Sequence, residues 1–241
     1  MAAEDVRLVV LYEDDHLLAV DKPAGIVVHP THKHAAGTMM NALLWHARGW
    51  PASDRPSLVG RLDKLTSGIL LVAKSPGAHA ALQRTVRDKD YLAVVYGRVT
   101  VARGEIDLPL GRDRQDRRRV VTPSEGGAPS LTQFERLARV RAPRAGLSLL
   151  RCRLMTGRTH QIRVHLASRG WPLVGDPTYG EPRWSLIADP ALSAALRAFP
   201  RQALHAWRLT VTHPVTHEEL RIEAPVPDDI DALLVASGLT V

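Results

Sequence analysis

The sequence predicts an α+β fold: a single domain over residues 1–241, with its core at about 8–228, built on a mixed, mostly antiparallel central sheet flanked by helices and loops. Three observations predict it. Segments with the period-2 pattern of strands and the longer period of helices are interspersed irregularly, not alternating as parallel βαβ units do. No internal repeat, low-complexity tract or linker divides the chain. Its 241 residues are enough to bury roughly 70–75% of the extended-chain surface without staples.

Residues 6–20 read as strand, turn and strand: VRLVVLY is β-rich, EDDH is polar and LLAV resumes the apolar run. Pro23-Ala24-Gly25 breaks the next segment, and Ile26–Pro30 reads as a short strand. Thr38 is placed to cap a helix to about Arg48, with Met39, Ala42, Leu43 and His46 at helical spacing and Gly49 as its stop. Ser75-Pro76 opens another helix, with Ala80, Leu82 and Val86 as its apolar contacts. Tyr91–Val101 and Ser148–Met155 have strand character, Thr159 is placed to cap a helix ending near Gly170, and a further helix covers Pro190–Phe199. LRIEAPVP, residues 220–227, closes the domain as a strand with a proline-rich exit.

The lone cysteine, Cys152, excludes an internal disulfide and a thiolate metal cage, which fits a reducing cytoplasm. The first residues lack the pattern of a signal peptide, and no apolar run approaches the roughly 20 residues of a spanning helix. The expectation is a cytoplasmic protein away from membranes. Lysines and arginines number 32 against 25 acidic residues, a net charge of +7 that favours a polyanionic partner. Residues 111–119, GRDRQDRRR, hold five arginines, among them Arg112 and Arg118, against two aspartates. That local excess suits phosphate contacts, a solvated loop being the plainer reading.

The polar cluster inside SLVGRLDKLTSGILLVAK, residues 57–74, reads as a loop between strands. Asp63 lies there beside Arg61 and Lys64, with Thr66, Ser67 and Gly68 able to form a tight turn that fixes the carboxylate's direction. Taken alone, an aspartate in a turn is more often a cap than a catalyst. Its setting, however, resembles the RLDxxTSG signature of RluA-type pseudouridine synthases. Three further stretches resemble that family in order: Asp21–Gly25 with Val28-His29-Pro30, Lys89–Val94, and Thr156–Leu166 continuing to Gly175–Gly180. The resemblance runs from about residue 10 to residue 228. Gly60 stands where many relatives have histidine, and Lys64-Leu65 replaces a more common basic-acidic pair. A small N-terminal RNA-binding domain of the S4 kind, frequent in relatives, is not expected, because the catalytic pattern begins within about ten residues.

The resemblance implies the pseudouridine synthase fold and an isomerase of uridines in structured RNA, tRNA or large-subunit ribosomal RNA, working without a cofactor and by default as a monomer. It implies three catalytic residues. Asp63 is the carboxylate near C1′, attacking it or stabilising cationic sugar character; Arg163 is the guanidinium that keeps Asp63 ionised; Tyr91 offers a flat face for uracil and a hydroxyl for proton relay. Arg61 is expected to stack where the flipped base was. Lys64, Arg158, His160, Gln161, Arg112 and Arg118 complete the expected RNA contacts. The alternative is a catalytically inactive RNA-binding or ribosome-assembly factor with the same fold.

Other signals carry less. His29, His32 and His34 lack a carboxylate at partner spacing, and His160 and His165, five apart on one helix, point about 140° from each other, so no metal site is expected. Cys152 reads as a buried strand residue and not a nucleophile. Gly175–Gly180 has two glycines but lacks the lysine of a nucleotide-binding phosphate loop.

Overall fold

The computed structural model describes residues 2–31, 34–123, 125–140, 146–180 and 182–240. In chain order come β1 (Val9–Glu13), β2 (Leu17–Lys22), α1 (Met39–His46), β3 (Ser57–Leu58), β4 (Ser67–Ala73), α2 (Pro76–Thr85) and β5 (Val86–Tyr96). Then follow β6 (Arg103–Asp107), β7 (Gly111–Arg112), β8 (Val120–Val121), β9 (Leu131–Arg139), β10 (Leu147–Leu154) and α3 (Gln161–Ser168). The chain ends with α4 (Pro190–Ala198), β11 (Leu204–Thr212), β12 (Glu219–Glu223) and α5 (Asp228–Ser237). These elements form two compact units, Met1–Lys89 with Ala206–Pro225, and Asp90–His205 with Val226–Val241.

In the first unit, Asp14 makes the turn expected between β1 and β2. Its Oδ1 accepts the amides of His16 and Leu17 at 2.7 and 2.9 Å, and its Oδ2 accepts the Tyr12 hydroxyl at 2.7 Å. β2 pairs antiparallel with β1 and β4, β3 with β4, and β12 with β11. The register sets Leu17 opposite Ala73 and Ala19 opposite Leu71, so that their apolar side chains share a face. That face packs with Val59, Ile69, Ala78, Leu82, Leu209, Val211 and Ile222 into one core. The same register sets Lys22 opposite Gly68 and brings the Asp21–Gly25 motif alongside the turn after Asp63.

Both expected caps in this unit are present. Thr38 and Asn41 form a reciprocal capping box at the start of α1, and Ser75 accepts the Ala78 amide at 3.2 Å ahead of Pro76. Residues 26–30 are not the short strand expected of them. The carbonyls of Val27 and Val28 accept the amides of Met39 and Met40, so they complete the first turn of α1 instead of joining a sheet.

In the second unit β10 pairs antiparallel with β5 and β9, and β9 with β6, while β7 and β8 form a separate two-stranded hairpin. The pairings given for the two units are all antiparallel, and the class is α+β, as the pattern predicted. β5 begins and ends earlier than expected, stopping at Gly97, whose φ is 110°. The N-cap of α3 is His160, not Thr159. It has φ 56° and no side-chain cap bond, and the left-handed residue re-aims the chain just before the helix. At the C-terminal end α5 is held by Arg201, which is 4% exposed and forks onto Asp229 through Nε and Nη2 at 2.6 and 2.7 Å. No helix among the described residues is long and apolar enough to cross a membrane.

Candidate active site

In the first unit, Asp63 lies half-buried in the loop between β3 and β4, between buried Leu62 and exposed Lys64. Backbone interactions hold this loop. The Asp63 carbonyl accepts the Thr66 amide at 3.1 Å and closes a turn, and the Lys64 carbonyl accepts the Gly25 amide at 2.8 Å. Lys22, fully buried, extends its ammonium to the same Lys64 carbonyl at 3.2 Å and to those of Pro23 and Ile26 at 2.8 and 3.0 Å. A buried ammonium needs such acceptors, and here they splice two sequence motifs into one support. Gly68, at φ 108°, follows the turn so tightly that an added Cβ would sit 2.2 Å from the Ala206 carbonyl oxygen. Arg61 and Lys64 project from the loop as exposed side chains. Gly60, the departure from the resembled pattern, has φ 110°, a conformation that a histidine rarely adopts.

In the second unit, Tyr91 is buried on β5 opposite Cys152 of β10, and Arg163 is buried on α3. The Arg163 guanidinium forks onto Asp176, Nε to Oδ2 at 2.7 Å and Nη2 to Oδ1 at 2.8 Å, with both side chains no more than 5% exposed. Asp176 Oδ1 also accepts the amides of Thr178 and Tyr179 at 2.8 and 3.0 Å. Burial alone would raise this carboxyl, but the Arg163 fork and the two amides outweigh it and hold the group below the ordinary carboxylate range. The Tyr179 ring lies 5.0 Å from the Arg163 guanidinium carbon, and its hydroxyl meets His160 Nδ1 at 2.8 Å. Burial raises this phenol.

The remaining expected contacts divide. Arg158 is exposed, its Nε reaching the Pro129 carbonyl at 3.4 Å. Arg112 and Arg118 are exposed on the β7–β8 hairpin, where Arg112 Nη1 donates to the Arg117 carbonyl and Arg118 pairs with Asp116. Gln161, expected to touch RNA, lies inward. It is 3% exposed, its Oε1 accepts from Thr156 and the Arg158 amide, and its Nε2 donates to Leu131 and Thr132, so the amide is a brace within the unit. Cys152 is fully buried and its thiol is pushed up by that burial, which suits packing and not nucleophilic attack. His165 is buried between Thr132 and the Leu108 carbonyl, and burial lowers its imidazole. His32 lies outside the described residues.

Sequence reasoning assigned no role to Lys22, Asp176 or Tyr179. All three stand inside the motif stretches, and that placement was the only signal available for them.

Residues 16–168 match the family model described as RNA pseudouridylate synthase. The chain belongs to the RNA pseudouridylate synthase family. Among its relatives in this family, Ribosomal large subunit pseudouridine synthase D of Nitrosomonas europaea is 46% identical over 239 residues, which is 97% of this chain and 66% of that protein. The Xanthomonas campestris protein of the same name is 46% identical over 98% of this chain and 71% of its own length. The chain thus spans about two thirds of the length of these curated relatives. Among solved structures, Human RNA Pseudouridylate Synthase Domain Containing 1 matches with a TM-score of 0.70 and 26% identity, covering 97% of this chain and 90% of that one. Human RNA Pseudouridylate Synthase Domain Containing 4 shares the fold at a TM-score of 0.75 and 22% identity, with coverages of 97% and 94%.

Proposed function

We propose that this chain is an RNA pseudouridine synthase that isomerises uridines of large-subunit ribosomal RNA in the cytoplasm, as a monomer, with Asp63 as its catalytic carboxylate. The observation that carries this reading is the placement of Asp63: a half-buried acid on a loop tied down by Lys22, Gly25 and Thr66, within the span that matches the family model. The ribosomal substrate is inferred from the names of the relatives.

The reaction breaks the N1–C1′ bond, turns the uracil and joins C5 to C1′. N1 gains a proton and C5 gives one up, so no group is imported and no electrons change hands. A rigidly aimed carboxylate suits it, because charge develops at C1′ and the acid must already point there. Within the first unit the reading assigns Asp63 to the chemistry and Arg61 and Lys64 to RNA contact. Within the second it assigns Tyr91 and Arg163 a part in catalysis, and His160, Arg158, Arg112 and Arg118 contacts to RNA.

The test is to incubate the protein with RNA from a strain lacking its gene and to map pseudouridine chemically, for the wild type and Asp63→Asn. New pseudouridine in large-subunit RNA with the wild type and none with the variant supports the reading. Equal product from both removes Asp63 from the mechanism, and product in tRNA alone reassigns the substrate. Salt-dependent binding without any isomerised uridine would favour an RNA-binding factor.

A further inference from the structure

The second unit holds a side chain to which the reaction assigns no part, yet which joins two segments that it does use. Tyr179 stands three residues after Asp176, whose Oδ1 accepts its backbone amide at 3.0 Å. Its hydroxyl accepts the Val120 amide of the basic hairpin at 2.9 Å and meets His160 Nδ1, at the start of α3, at 2.8 Å. With Val120 as donor and Nδ1 of His160 as acceptor, the phenol donates its own O–H to Nδ1 and is satisfied on both sides. The ring lies 5.0 Å from the guanidinium carbon of Arg163 and 5.7 Å from that of Arg119, and it stacks edge-on against His160 with centroids 5.5 Å apart. It packs with Leu110, Val120 and Val164, a small apolar cluster joining hairpin to helix.

We propose that Tyr179 is a positioning residue that latches the basic hairpin, residues 111–121, to the helix carrying Arg163, so that one side chain sets both the hairpin's presentation to RNA and the seat of the guanidinium. This rests on the function proposed above for its consequences in catalysis; the latch itself does not depend on it. The two halves of the side chain have separate duties. The hydroxyl ties down Val120, and through the two-residue ladder of β7 and β8 it holds the loop with Arg112 and Arg118. The ring lies under the Arg163 guanidinium and helps to seat it, since its quadrupole favours a cation over its face. His160 gains as well: its left-handed backbone is one that a residue with a Cβ keeps only when its surroundings hold it there, and the phenol is one such contact.

Separate duties give separable effects. Tyr179→Phe keeps the ring and loses the hydroxyl. On large-subunit ribosomal RNA its KM should rise about fivefold, the equivalent of one lost hydrogen bond, with kcat within about twofold of wild type. Tyr179→Leu loses the ring too, and its kcat should fall by a further factor of about ten as Arg163 loses its seat. Hydrogen exchange of the RNA-free protein supplies a readout independent of activity. The Val120 amide should exchange about tenfold faster in Tyr179→Phe than in wild type, while amides of the β9–β10 ladder keep their rates. A Phe variant with unchanged KM and unchanged Val120 exchange would overturn the latch. So would parallel losses of KM and kcat performance that follow a lower folded fraction, since those are the mark of a packing residue only. If the wild type makes no pseudouridine, the proposed function fails while Val120 exchange still decides the latch; should Tyr179→Leu fail to fold, the Phe variant carries the decision.

Discussion

Replacing Asp176 by asparagine keeps the size and one oxygen of the side chain but removes the charge that faces Arg163. The Oδ1 position can still accept the amides of Thr178 and Tyr179, so the turn itself survives. At the Oδ2 position an NH2 group now points at the Arg163 Nε–H, which donates there across 2.7 Å in the wild type, and two donors then confront each other. Removing one partner of a buried ion pair costs about 3–5 kcal/mol, because the other charge remains in a medium that solvates it poorly. For a chain of this size that corresponds to a fall in Tm of roughly 6–20 °C. The pH dependence follows from the lowered carboxyl of Asp176. Its stabilisation is fully present above the unfolded aspartate pKa of about 3.9 and is lost as the pH falls through the lower folded value. The gap between wild type and Asp176→Asn, measured by urea unfolding from pH 7 down to pH 2.5, should therefore be constant down to about pH 4 and close below it. A variant within about 0.5 kcal/mol of wild type at pH 7, or a gap indifferent to acid, would refute the account of Asp176 as the charge that seats Arg163.

Two more perturbations test the support under Asp63. Lys22→Met keeps the aliphatic stem but leaves the Pro23 and Ile26 carbonyls without their donor, and should cost about 2–5 kcal/mol in urea unfolding and lower kcat more than it raises KM. Gly68→Ala must place a Cβ against the Ala206 backbone at a φ of 108°, and should lower the unfolding free energy by about 2–4 kcal/mol in the same assay; a neutral alanine would mean that the close approach after the turn is not a constraint.

What the sequence made legible was what local chemistry decides. Thr38 as a cap, Ser75 with Pro76, and the polar turn after Tyr12 are short-range signals, and each is found where it was read. Two misreadings share one cause, a distant partner that local preference does not register. Residues 26–30 look like a strand, but their carbonyls are claimed by the amides of Met39 and Met40. Thr159 is the better cap by residue type, yet His160 takes the left-handed turn that its contact with Tyr179 supports. The hairpin at residues 111–121 was visible only as an excess of arginine. Helix α5 is a different case: it carries a local signal, Asp228, Asp229 and Asp231 in its first turn, just beyond the proline-rich exit. The resemblance supplied the roles of Asp63, Tyr91 and Arg163, whereas the bonds from Lys22 to Lys64, 42 residues away, and from Arg163 to Asp176, 13 away, needed coordinates.

The loop around Asp63 separates what must be rigid from what can vary. Its braces are backbone atoms, the carbonyls of Asp63 and Lys64 and the amides of Thr66 and Gly25, together with the buried Lys22 ammonium and the glycine at position 68. The side chains of Arg61 and Lys64 take no part in those braces and stand exposed. A substitution at such a position can alter what the loop meets without moving the carboxylate. Lys64, one of the departures from the resembled pattern, falls into this class. Gly60 has no side chain and fits a backbone of φ 110°, and the part of Lys64 that holds the loop is its carbonyl, which any residue would supply. The backbone braces of the loop are thus compatible with a changed exposed surface at Lys64, because that residue holds the turn after Asp63 through its carbonyl and not through its side chain.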